Sequence, residues 1–244
     1  MRLNRIYTPG PLILDSDIAL TAAGAYHVTR VLRMRVGAPV IVFNGDGSEH
    51  RAEIIGVDGN QATVRIGEQL VATAESPLTI TLVQGISRSE RMDWALQKAT
   101  ELGVNVIAPV ITARSVVRLD DQQSVKKVEH WRNIVIGACE QCGRSHVPNV
   151  LAPISLRQYL QEHAKEGMRL VLSPTGPSAL AGLTSMSKRV ELLIGPEGGL
   201  DDEEIDRAQT AGFVPVRLGP RVLRTETAAV TALSVLQAMW GDLV

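Results

Sequence analysis

Beyond Pro77 the chain alternates short apolar runs with stretches of helical spacing, and few folds accommodate that alternation. Residues 78–85, 106–111, 170–173, 191–195 and 214–218 read as short buried strands. Between them, 88–102 puts Met92, Ala95, Leu96, Ala99 and Leu102 on one side of a helix and stops at Gly103. Further helices are predicted over 124–143, over 156–166 with Gly167 behind it, over 201–211 and over 225–240. The helix over 201–211 opens on Asp201 and Glu204, spaced as a capping box, and is followed by Gly212. Strands separated by helices cannot pair as hairpins, so they must lie mostly parallel in a helix-covered sheet.

The residues before 72 have a different texture. An apolar run over 38–43 ends in Asn44-Gly45-Asp46-Gly47, and runs over 49–57 and 61–66 are separated by Asp58-Gly59-Asn60. Both junctions are turn signals, and together they predict a small β-rich unit of the kind that closes into a barrel. One helix, about 25–34, interrupts it. Residues 72–77 are small and polar and end in proline, as a linker does. Two domains are therefore expected, 1–72 and 77–244.

Composition narrows the function. Apolar residues make up 45% of the 244-residue chain, enough for a core without disulfides or metals. The net charge is −1, so no bulk basic field attracts nucleic acid, and any such binding must come from local arginine clusters. Aromatic residues are only 3% of the chain, too few for a broad base-stacking platform. Every basic side chain between Met1 and Ser76 is arginine, the side chain suited to bidentate phosphate contacts, although a GC-rich genome would produce the same bias. Residues 1–17 lack the apolar core of a signal peptide and no stretch has transmembrane length, so a cytoplasmic protein with no membrane contact is expected.

Ligands of open parallel sheets bind at the carboxyl ends of the strands. Three loops leave such ends: Ser173-Pro174-Thr175-Gly176, Gly195-Pro196-Glu197-Gly198-Gly199, and Leu218-Gly219-Pro220-Arg221 running on to Ala228. Each alone reads as a tight strand-to-helix turn, whereas three together point to a shared pocket. None matches the Walker A or the dinucleotide glycine pattern. Cys139-x-x-Cys142 with His146 nearby could be a redox pair or half a zinc site, but no further cysteines complete one, and no metal is expected.

The second loop, followed by Leu218-Gly219-Pro220-Arg221-Val222-Leu223-Arg224-Thr225-Glu226-Thr227-Ala228, resembles the signature of the 16S ribosomal RNA uridine-N3 methyltransferases, of the SPOUT class. Asp93 to Val104, which contains Gln97 to Val104, Arg114-Ser115-Val116, Glu140-Gln141 with Arg144 and Pro148, and His27 with Val31-Leu32-Arg33 and Gly37 extend the resemblance over nearly the whole chain. It implies an α/β fold: a SPOUT-type parallel sheet with a C-terminal trefoil knot, preceded by a small PUA-like β-barrel RNA-binding domain. It also implies a homodimer with its active site near the subunit interface. The apolar final helix, with Ala228, Ala229, Ala232, Leu233, Val235, Leu236, Met239 and Trp240, suits either an interface or packing within one subunit.

The implied activity is methylation of N3 of a uridine in 16S ribosomal RNA of the small subunit, during or after its assembly, with S-adenosylmethionine as cofactor. With so little basic surface, an assembled particle is a better substrate than a free strand. The implied cofactor residues are Leu172, Ser173, Pro174, Thr175, Gly195, Pro196, Glu197, Gly198, Gly199, Leu218, Gly219, Arg221, Val222, Leu223, Thr225 and Thr227. Uridine N3 is a poor nucleophile while it holds its proton. An arginine stabilising the developing charge and a carboxylate taking the proton are therefore wanted. Arg224 and Glu226 are the leading candidates, with Glu197 and Arg221 next. A structural ion pair for Arg224 and a helix first-turn role for Glu226 are the competing readings. RNA contact is expected from Arg30 and Arg33, one helical turn apart, with His27 a turn before and Arg35 and Arg5 joining. Alternative functions are methylation of another RNA nucleotide, a non-catalytic RNA-binding assembly factor, or an unrelated α/β ligand-binding enzyme.

Overall fold

The computed structural model describes residues 3–72, 75–115, 120–162, 167–184 and 187–243. It divides into two compact units, Met1–Glu75 with Ile136–Val147, and Ser76–Val135 with Pro148–Val244. Val116 and residues 163–166, which carry part of one family stretch and the end of one expected helix, lie outside the described residues, as do 73 and 74 of the expected linker.

In the first unit, strands β1 (Arg5–Tyr7), β2 (Asp17–Ala19), β3 (Pro39–Phe43), β4 (Glu49–Asp58) and β5 (Gln61–Leu70) form one sheet in the order β1-β3-β4-β5-β2. Only the β1–β3 pair is parallel. Val40, Val42, Ile54, Val64 and Ile66 alternate along the strands and are fully buried with Ile6 and Val28. The helix expected at 25–34 starts earlier. Helix α1 (Ala22–Tyr26) is capped by Thr21, whose hydroxyl accepts from Gly24 N at 3.1 Å. It passes into a π-helical turn, His27–Val31, where Leu32 N donates to His27 O at 2.9 Å. The wider turn breaks the 3.6-residue period, and Arg33 follows in the left-handed region at φ 51°. The turn that was to align Arg33 with Arg30 is therefore absent.

Residues 136–147 enter the first unit through buried polar bonds. Arg5 pairs with Glu49 at 2.7 Å and donates to Ser145 Oγ at 2.8 Å and Arg144 O at 3.2 Å. Tyr7 N donates to Glu140 Oε1 at 2.9 Å. Nothing local in the sequence pairs positions so far apart. Cys139, buried in this segment, has its thiol pushed up to about 12 by desolvation. At pH 8 Cys139 should therefore resist alkylation in the native protein while the half-buried Cys142 reacts. Peptide mass spectrometry reads the two sites separately, and equal labelling would contradict the burial.

The second unit holds an eight-stranded sheet in which every pairing is parallel. Its strands are β6 (Thr79–Gly85), β7 (Val106–Ile111), β8 (Asn149–Val150), β9 (Ile154–Ser155), β10 (Met168–Leu172), β11 (Ser178–Ala179), β12 (Arg189–Ile194) and β13 (Val214–Arg217). Their order is β11-β13-β10-β12-β6-β7-β8, with β9 also on β7. The two-residue strands β8, β9 and β11 are too short to register as apolar runs. The helices are α2 (Ser89–Glu101), α3 (Asp121–Cys142), α4 (Leu156–Glu162), α5 (Asp202–Thr210) and α6 (Thr225–Trp240). The α3 helix gives its last turns to the first unit.

Helix α5 has the expected capping box, Glu204 N to Asp201 Oδ1 at 2.8 Å and Asp201 N to Glu204 Oε2 at 3.1 Å. The second oxygen of Glu204 accepts from Ala113 N at 2.8 Å, which ties the cap to the end of β7. Helices α2 and α6 pack on each other, with Met92, Ala95, Leu96 and Ala99 against Ala229, Ala232, Leu233 and Leu236 all buried. Gln237, fully buried on α6, donates to Leu102 O at 2.8 Å and accepts from Ser76 Oγ at 2.7 Å. No described helix is long and apolar enough to cross a membrane.

Candidate active site

Strands β13, β10 and β12 are neighbours in the sheet, so the loops leaving their carboxyl ends share one edge. Between those loops lies a cavity of about 290 Å³. Its wall contains Leu172, Ser173 and Pro174 of the first loop and the whole of Gly195 to Gly199 from the second. The third loop adds Leu218, Gly219, Arg221, Val222, Leu223 and Thr225. Four candidates do not line it: Thr175 and Thr227, and the expected catalytic pair Arg224 and Glu226.

The loops are held by bonds within them and to neighbouring strands and loops. In the first, Ser173 N donates to Val216 O at 2.9 Å, and Arg217 Nη1 reaches Gly176 O at 2.7 Å and Pro177 O at 2.5 Å. In the second, Gly199 N turns back to Pro196 O at 2.9 Å. That turn is so tight that a Cβ on Gly195 would stand 2.8 Å from both Gly199 C and Leu200 N. The third loop ends on Thr225, whose hydroxyl donates to Gly195 O at 2.6 Å. The two specific sequence stretches are thus joined through one buried side chain.

Six wall residues, Arg114, Ile194, Leu200, Ile205, Val216 and Ala228, were not assigned a site role from the sequence. Arg114, on the loop after β7, donates from Nη1 to Gly198 O at 3.0 Å and lies toward Leu200 O at 3.4 Å. A Cβ on Gly198 would sit 2.9 Å from Arg114 Cβ, so this glycine lets the arginine lie flat on the loop. The signal was present: β7 is a fourth strand whose carboxyl end faces the same edge. Leu200 closes the same wall, and a leucine behind two glycines carries no signal of its own.

Charge at the site is uneven. Glu197 Oε1 accepts from Arg88 N at 2.9 Å and lies 3.6 Å from Arg91 Nη1, while its Oε2 is buried with no protein partner. Glu226, in the first turn of α6, also has a buried, unpartnered Oε2. Arg114, Arg221 and Arg224 are exposed, and Arg224 forms no ion pair among the described residues, so the structural-pair reading lacks a partner. No cluster of metal-ligating side chains exists among the described residues.

In the first unit Arg30, Arg33 and Arg35 are exposed and His27 is half-buried. Arg30 spends Nε and Nη2 on Asn60 Oδ1, at 3.2 and 3.1 Å. Arg5 is a correction: it is buried, paired with Glu49 and stacked 4.9 Å over the Phe43 ring, and so is not part of any exposed arginine face.

A family model described as an RNA methyltransferase domain matches residues 74–237, and one described as an RNA methyltransferase PUA domain matches 20–67. A ribosomal RNA small subunit methyltransferase E from Buchnera aphidicola is 35% identical, with 99% of this chain and 98% of that protein covered. The protein of the same name from Bacillus subtilis is 34% identical, with 89% and 88% covered. Among solved structures, a methyltransferase from Legionella pneumophila in complex with SAM is 47% identical with a TM-score of 0.95, covering all of both chains. A ribosomal RNA small subunit methyltransferase E from Neisseria gonorrhoeae bound to S-adenosyl methionine is 38% identical with a TM-score of 0.92, again over both whole chains. The chain belongs to the RNA methyltransferase family that these ribosomal RNA small subunit methyltransferases E represent.

Proposed function

We propose that this chain methylates N3 of a uridine in 16S ribosomal RNA with S-adenosylmethionine as methyl donor. The observation that carries the reading is the three-loop cavity, in a chain whose full-length relatives are named for this class of reaction and are crystallised with that cofactor. The cavity fits such a group. Its walls are glycine-rich backbone and apolar side chains such as Ile194, Leu218 and Leu223, suited to an adenine ring. Glu197 Oε2 offers a buried acceptor that the protein leaves unpaired, suited to a hydroxyl or ammonium group. Leu172 to Pro174, Gly195 to Gly199, Leu218, Gly219, Arg221 to Leu223 and Thr225 would hold the cofactor, with Thr175 and Thr227 next to them.

When bound, the cofactor supplies a methyl group already activated by its sulfonium. The protein must place the base in line with it and manage one proton. Arg224, exposed at the N-cap of α6, is positioned to stabilise charge that develops on uridine O2 and O4. Glu226, with an unpaired carboxylate oxygen one residue past the α6 start, takes the N3 proton. Arg221 reinforces the charge from the cavity wall.

The finer architecture belongs to the same reading. Residues 1–72 act as a PUA-like barrel, and 77–244 as the methyltransferase domain. RNA is bound through His27, Arg30, Arg33 and Arg35. A trefoil knot is supported by the strand order. The chain inserts β12 between β10 and β6, passes back to β13, and returns in α6 to pack on α2. A homodimer is supported by the half-buried Val235, Met239 and Trp240 on α6. The enzyme works in the cytoplasm on the small subunit.

Small subunits lacking the modification, incubated with this protein and S-adenosylmethionine, should acquire N3-methyluridine by nucleoside mass spectrometry. A different methylated nucleoside would discard the target, and no methylation despite cofactor binding would favour an assembly factor.

A further inference from the structure

Gln84 stands out because it is wholly buried at the last position but one of strand β6, on a strand whose other buried side chains, Ile80, Leu82 and Val83, are apolar. It lies beside Ile194 in the parallel β6–β12 pair, one residue before the glycine loop begins. Its Nε2 is 3.0 Å from Thr225 Oγ1 and 3.1 Å from Gly85 O. A carbonyl only accepts, so the amide nitrogen must face Gly85 O, and this leaves Oε1 buried without a partner. Thr225 Oγ1, 2.6 Å from Gly195 O, must likewise donate its single proton there and receives Gln84 on a lone pair. One amide proton of Gln84 goes to Gly85 O, and the other starts a one-way chain of bonds from Gln84 to Thr225 to Gly195. The amide keeps this orientation although its Oε1 finds no protein partner.

The three linked groups belong to three different parts of the site. Gly195 opens the second cavity loop, and Thr225 is the first residue of α6 between Arg224 and Glu226. Gln84 belongs to the rigid sheet beneath both. We infer that Gln84 is a positioning residue that sets the α6 start, and with it Arg224 and Glu226, against the cofactor loop. This rests on the functional reading above. Oriented hydrogen-bond chains couple their members, so the loss of one weakens the others.

Gln84→Met keeps the volume and removes the donor, Thr225→Val keeps the shape and removes the hydroxyl, and Thr225→Ser restores the hydroxyl. Single-turnover methyl transfer to saturating small subunits, S-adenosylmethionine affinity by calorimetry and the thermal midpoint are read for each variant. The expected result is a transfer rate about 10-fold or more lower for Gln84→Met and Thr225→Val, as small misplacements of reacting groups produce. Thr225→Ser, which restores the hydroxyl, should recover most of the rate that Thr225→Val loses. The double variant Gln84→Met/Thr225→Val should be no worse than Thr225→Val alone, as members of one chain of bonds require. A lowered thermal midpoint with an unchanged transfer rate, or losses that add in the double variant, would overturn the assignment. Wild type run alongside separates the two ideas. If it transfers no methyl group the functional reading fails. In that case the calorimetric affinities of the same four variants still test the coupling: non-additive losses support the chain of bonds, and additive or absent losses reject it.

Discussion

Arg224→Ala should lower methyl-transfer turnover by about 10²-fold or more while the protein folds and binds S-adenosylmethionine normally. Arg224 is exposed, caps no backbone amide through its side chain and pairs with no described carboxylate, so little stability depends on it. It does not line the cavity, so cofactor affinity should survive. Its contribution would then be confined to the transition state, where negative charge spreads over the uridine. A loss of kcat without a matching loss of cofactor affinity is the signature of such a group. Turnover within a few-fold of wild type would remove Arg224 from the mechanism and leave Arg221 as the cationic group.

Gly195→Ala is the second large effect. The new methyl would stand 2.8 Å from Gly199 C and Leu200 N, both backbone atoms that cannot swing aside. The turn closed by Gly199 N and Pro196 O would have to open, moving the wall of the cavity. Overpacking of this kind costs about 1–3 kcal/mol. If that cost falls on the binding-competent loop, S-adenosylmethionine affinity drops about 10- to 100-fold, which calorimetry measures directly. Gly199→Ala provides the contrast. Gly199 adopts φ +71° but has open space where its Cβ would be. There the strain is local to the backbone, about 1–2 kcal/mol, and should lower the thermal midpoint more than the affinity. Equal affinity loss from both substitutions would mean that the close approach at Gly195 is not what shapes the site.

Much of the second unit was readable from periodicity. The strand at Val106–Ile111, the helix at Thr225–Trp240 and the Asp201–Glu204 capping box lie where the pattern puts them, because each depends on neighbours in the chain. The loops that wall the cavity were readable for the same reason, as glycine and proline at strand ends. Arg114 was overlooked as a wall residue because its role is set by Gly198 and Leu200, far along the chain. Gln84 was passed over because one polar residue closing an apolar run has no periodic signature. In the first unit the π turn displaced Arg33 from the face it was expected to share with Arg30, since a single inserted residue is invisible to a 3.6-residue count. Arg5 was counted as a surface cation because its partners Glu49 and Ser145 come together only in the folded chain.

Local order along the chain thus settled which segments are strands and helices, that the main sheet is parallel, and which loops would meet at its carboxyl edge. Short-range hydrogen bonding and the burial of apolar faces act over a few residues, and sequence records them directly. The strand order, the union of residues 136–147 with the first unit, and the bonds from Gln84 through Thr225 to Gly195 were decided by tertiary structure alone. Those depend on polar atoms that must find partners once water is excluded, and which partner is near is a property of the whole fold.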